Sequence, residues 1–119
     1  MTGIEQAPAE GTVRVANEVI ATIAAMAARE VEGVTGMDDA AARHLGDWFK
    51  RQTAHDGVRV VVDTAKAIHL ELFLCVGSQT QIGDVAEQVQ ATAVESVERM
   101  LGLEVAEVNV FVSSIAFRE

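Results

Sequence analysis

The chain has 119 residues, of which 18 are acidic and 9 basic, giving a net charge of −9, and half of its residues are apolar. That length fits one domain with a core of its own, and the negative charge disfavours nucleic-acid backbones and anionic lipid surfaces as partners. A single cysteine, Cys75, excludes an internal disulfide and fits a reducing cytoplasm.

Residues 1–11 are polar, contain Pro8, and lack the basic and apolar regions of a signal peptide. They read as a disordered N-terminal arm. No apolar run approaches the ~20 residues of a spanning helix. Thr12 to Val15 reads as a short extended segment with Val13 and Val15 on one face. Asn17 is a candidate N-cap and Glu18 suits a first helical turn. Val19, Ile23, Met26, Ala27 and Val31 recur at helical spacing and predict a helix ending near Gly33.

Residues 37–57 form a variable lid or loop in which Leu45, Trp48 and Phe49 fit one stripe of a short helix. This stretch serves either as a cover for the core or as a binding loop. Val58 to Asp63 and Ile68 to Val76 then alternate apolar and polar residues around Asp63-Thr-Ala-Lys66, which predicts a β-hairpin. Ile82, Val85, Val89, Ala93, Val97 and Leu101 mark a second amphipathic helix, stopped by Gly102. Val105 to Ile115 alternates again and gives the last strand, with residues 117–119 as a tail.

The expected fold is α+β: a single β-α-β-β-α-β domain over residues 12–116, a small mixed sheet with two helices packed on one face. The crossover through the second helix makes the last strand parallel to the one before it. Helices on one face leave Val61, His69, Phe73, Cys75, Asn109 and Phe111 on the other. That face is more apolar than a solvated one. Val61, Phe73, Cys75 and Phe111 are therefore candidate interface residues for a protein partner, such as a second copy. Trp48, Lys50 and Arg51 form a second, weaker candidate surface.

The sequence offers little chemistry. His44, His55 and His69 do not fall at metal-ligand spacing, and Cys75 has no CxxC mate. Cys75 lies between Leu74 and Val76 with no neighbouring base to activate it. No glycine pattern suits a phosphate. No catalytic residue, metal site or cofactor is expected.

Three passages, taken together, resemble the alkaline-shock-protein family of bacterial envelope stress response proteins. The first is Gly11-Thr-Val-Arg-Val-Ala-Asn-Glu-Val-Ile20 with Ala27-Ala-Arg-Glu-Val-Glu-Gly-Val34. The second is Gly57-Val-Arg-Val-Val-Val62 with the strand after it. The third is Ile82-Gly-Asp-Val-Ala-Glu-Gln-Val-Gln90 with Gly102-Leu-Glu-Val-Ala-Glu-Val-Asn-Val110. The match runs from about Gly11 to Val112. Gly83 stands where the family pattern often has proline, and Val76-Gly77 where it often has Tyr-Gly.

The resemblance implies a cytoplasmic, non-enzymatic scaffold in envelope homeostasis. It would self-associate into a homo-oligomer and be held at the membrane by an anchored protein partner, without inserting itself. The alternative is a small-molecule-sensing domain with an apolar pocket under the Leu45–Phe49 stretch.

Overall fold

The computed structural model describes residues 10–44, 52–65 and 67–116. In chain order it contains α1 (Glu10–Arg29), β1 (Val34–Met37), α2 (Asp39–His44), β2 (Gln52–His55), β3 (Val58–Val62), β4 (Ile68–Gly77), α3 (Ile82–Leu101) and β5 (Val105–Ala116). The class is α+β, as the alternation of periods predicts.

β4 organises the sheet. Its even-numbered residues Leu70, Leu72, Leu74 and Val76 are fully buried. They face the alanines of α1 (Ala21, Ala24, Ala25, Ala28) and the valines of α3 (Val85, Val89, Val97) in one core cluster. Small residues recurring at three- and four-residue steps let α1 lie close to its neighbours. α1 and α3 pack on each other as well as on the sheet.

β5 runs parallel to β4 over its whole length, from Ile68↔Val105 to Gly77↔Ala116. β3 pairs antiparallel with the first half of β4, from Val62↔Ile68 to Val58↔Leu72. β1 pairs antiparallel with the second half, from Val34↔Val76 to Met37↔Leu74. β1 and β3 therefore lie end to end along one edge of β4, and β5 takes the other. They meet at Phe73, whose N–H donates to the Gly57 carbonyl and whose carbonyl accepts from the Asp38 N–H.

Three elements differ from the sequence reading. Thr12 to Val15 is not extended: α1 begins at Glu10, and Asn17 lies buried inside it rather than capping it. Two valines and a threonine cost a helix only tenths of a kcal/mol each, and extending an alanine-rich helix needs no new nucleus. β1 is a short strand that was not expected. So is β2, which joins β3 as a tight hairpin. Its turn is Asp56-Gly57, with φ of 58° and 81°, the left-handed pair that a two-residue hairpin requires. Finally, α2 falls within 37–57, but Leu45, Trp48 and Phe49 lie outside the described residues. So do residues 1–9 of the expected arm and the 117–119 tail.

Gly57 combines a left-handed φ with a close approach: a Cβ there would sit 2.5 Å from the Met37 Cβ and 3.1 Å from the Asp38 nitrogen. Gly57→Ala should destabilise by about 1–3 kcal/mol in chemical denaturation. Gly36→Ala meets nothing within 4 Å and should stay within about 0.5 kcal/mol of the parent.

Candidate functional site

The face of the sheet away from α1 and α3 carries the odd-numbered residues of β3 and β4 together with Glu107, Asn109 and Phe111 of β5. Its register brings Phe73, Cys75 and Phe111 together and sets Val61 apart, opposite His69. Phe73 pairs with Phe111 across β4 and β5, and their rings stack with centroids 5.0 Å apart. Val61 lies opposite His69, and Cys75 follows Phe73 on the same strand face. Trp48, Lys50 and Arg51, the second candidate surface, lie outside the described residues.

The two phenylalanines are not equivalent. Phe73 retains 6% exposure and Phe111 43%. The Arg59 guanidinium sits 5.8 Å from the Phe73 ring centre on one side, and the Phe111 ring covers the other. Alternation assigns Phe73 to this face, but its neighbours bury it. Phe111 is the apolar group that meets solvent. Cys75 and Val61 are half-buried.

The face is also partly roofed. Met37, opposite Leu74, packs against the core, so Asp38, the next residue, faces the other way. Asp38 Oδ1 accepts from the Ala41 N–H and caps α2, while the Ser113 hydroxyl donates to Oδ2 at 2.7 Å. These bonds hold the Asp38 carboxyl below its ordinary range, the Ser113 bond most strongly. α2 then packs on β2, β3 and β4 with Ala42 fully buried.

Two charged groupings stand beside the aromatic pair. Arg59 forms an ion pair with Glu71 and is only 8% exposed. Its Nε and Nη1 have no hydrogen-bond partner among the described residues. Further along, His69 Nδ1 lies 2.8 Å from Glu107 and Nε2 lies 2.9 Å from Asp63. The Asp63 bond, then the Glu107 bond, pushes the His69 pKa up. His69 in turn is the main cause that lowers Asp63 and Glu107. Sequence reading placed His69 on this face but missed both carboxylates, because Glu107 reaches it only through the parallel register.

Among the described residues no group of His, Cys, Asp and Glu is arranged to hold a metal ion. No helix there is long and apolar enough to cross a membrane. A shallow, open groove of about 260 Å³ between α1 and β2 is lined by Glu18, Val19, Thr22, Ile23 and His55.

Fold and face together define a small α+β module. Residues 5–117 match the alkaline shock protein 23 family, described as having a cell envelope-related function, and the chain belongs to that family. Its relatives include the uncharacterized protein YloU of Bacillus subtilis (strain 168), 30% identical over 107 residues and 88% of each chain. YqhY of the same organism, also uncharacterized, is 32% identical over 90% of this chain and 78% of its own. Among solved structures, variants of the MamM CTD share the fold. One has a TM-score of 0.56 at 18% identity, covering 88% of this chain and 99% of the other. A zinc form of the same variant has a TM-score of 0.56 at 19% identity, covering 87% and 88%.

The Arg59–Glu71 pair gives a direct test of what secures this face. Glu71→Ala strands the Arg59 charge and should cost about 3–5 kcal/mol by urea denaturation. Replacing both with apolar residues, Arg59→Met with Glu71→Leu, should cost much less.

Proposed function

We propose that this protein is a non-enzymatic scaffold in cell-envelope stress response or homeostasis. It acts by self-association through the Phe111 side of the sheet and by docking to a membrane-anchored partner. The observation that carries this reading is Phe111: a large aromatic side chain, 43% exposed, stacked on a buried phenylalanine, with half-buried Cys75 next along the same face of β4. Such a rigid, partly wet aromatic is the kind of residue that anchors interfaces. Membership of an envelope-related family supports the setting. The strong negative charge argues against direct adsorption to an anionic membrane, which is why a protein anchor is part of the proposal. Among the described residues, the α1–β2 groove is a candidate place for the ligand-sensing alternative. Its openness gives a small molecule little enclosure.

Light scattering after size exclusion, over a wide concentration range, tests the reading. We expect a mass above the 12.7 kDa monomer that falls on dilution. Phe111→Ser should abolish the association with a stability loss of about 1–2 kcal/mol, because the ring is half in water but also covers Phe73. Phe73→Ser is no probe of the surface. It should cost about 3–5 kcal/mol, as core phenylalanines do. A strict monomer at high concentration, or a Phe111→Ser variant that associates as the parent does, would sink the self-association reading.

A further inference from the structure

We propose that His69 is a proton-operated latch, holding the start of β5 to the β3–β4 turn and letting go of it when the ring loses a proton. Three titratable groups meet there: Asp63 from the turn, His69 from β4 and Glu107 from β5. The next charged groups on this face, Arg59 and Glu71, are already paired with each other. The two long helices lie on the opposite face, and Lys66 of the same turn lies outside the described residues.

The argument rests on donors and acceptors. Ionised carboxylates only accept hydrogen bonds, and both ring nitrogens sit on carboxylate oxygens, at 2.8 and 2.9 Å. Both nitrogens must therefore donate, which only the imidazolium does. A neutral ring keeps one N–H and turns a lone pair toward the other carboxylate.

The two carboxylates are not equally fixed. Asp63 Oδ1 also accepts from the backbone N–H groups of Ala65 and Ala67, which pins it in the turn. Glu107 stands exposed on β5, and its further hydrogen bond is to the Asn109 side chain of the same strand, so it moves with β5. The remaining proton accordingly stays on Nε2, facing Asp63, and Nδ1 releases Glu107. The release falls at a weak point of the sheet. The β4–β5 ladder is irregular between Ile68 and His69, so that Val105 and Glu107 have partners and Ala106 between them has none. Around it, β5 is tied by the Val105 N–H to Glu98 and by Gln90 to the Val108 carbonyl.

The direction with pH follows. The two carboxylates raise the folded His69 above its ordinary value of 6.5. The stability this contributes is complete below the ordinary value and is lost as pH rises through the folded one. Asp63 and Glu107 are lowered, so their share is present above the ordinary carboxylate range and fails only in acid, as pH falls through the lowered values. The latch is closed below the ordinary His69 value and opens as pH rises through the raised one. If the Phe111 face pairs two copies as proposed above, opening would reach that interface, because Phe111 lies on the same strand. The latch itself does not depend on that pairing.

The test is a pH titration of the full chain, followed by ring ¹⁵N and backbone amide chemical shifts. It is run at a concentration where light scattering gives a monomer. We expect a His69 midpoint above 6.5, loss of the proton from Nδ1, and β5 amides from Val105 to Asn109 moving with the same midpoint. The melting temperature should fall over the same range. In Glu107→Gln, the new amide can accept from the imidazolium or donate to the neutral ring. His69 should then titrate at a lower midpoint while the β5 amides stay still. A midpoint at or below 6.5, proton loss from Nε2, or unmoved β5 amides in the parent chain would each overturn the latch. So would β5 amides in Glu107→Gln that still follow His69. Because the titration is read on the monomer, its result stands whether or not Phe111→Ser alters association.

Discussion

Everything in this structure depends on β4 having both of its edges filled. A strand with Leu70, Leu72, Leu74 and Val76 fully buried has no water to satisfy its backbone, so each N–H and C=O needs a protein partner. β5 supplies one edge over its whole length. The other edge is completed by two separate short strands. The crossover through α3 and the packing of α1 follow from this need, because a strand apolar on its even positions must bury them under helices.

The same constraint explains the character of the second face. It is neither a second core nor a plain solvated surface. Phe73 is dry, Arg59 is nearly so, and His69 is braced by two carboxylates, yet Phe111 stands half in water. Paired charges, a stacked ring and a capped short helix stabilise a layer too thin to be closed by apolar packing alone. Each of these groups leans on a neighbour in another strand. The face is therefore only as ordered as the β4–β5 register beneath it. That dependence links the proposed interface to the proposed latch: both sit on β5, and both are positioned by its parallel pairing.

How much of this the sequence shows depends on the range of the interaction. The β3–β4 hairpin, α3 with its Gly102 stop, and β5 are legible because period and punctuation agree over many residues. Gly102 adopts φ 68° and its N–H bonds to the Glu98 carbonyl, as a glycine stop should. Thr12 to Val15 misleads because four residues are too few to separate two periods. β1 is as short, and its role as half of an edge is a tertiary fact. β2 did have a signal: Asp56-Gly57 is a hairpin turn dipeptide, but Gln52 to His55 is too polar to stand out as a strand. Alternation gave the correct face for Phe73 and Phe111 but not their difference in exposure, since that depends on Arg59 and on the stacking of the two rings. Glu107 is 38 residues from His69 in the chain, and only a known register brings them together.

The end-to-end arrangement of β1 and β3 has a consequence for how this architecture can diversify. Asp38 and Gly57 bond the two backbone groups of the single residue Phe73, so the chain between them leaves the edge and returns to almost the same point. A segment with such closely held ends can change length at little entropic cost, about 0.6 kcal/mol for each doubling. The rest of the edge need not move. The stretch from α2 through β2 is thus a natural place for insertion, where relatives can acquire different outward-facing structures while the sheet and its helices stay the same.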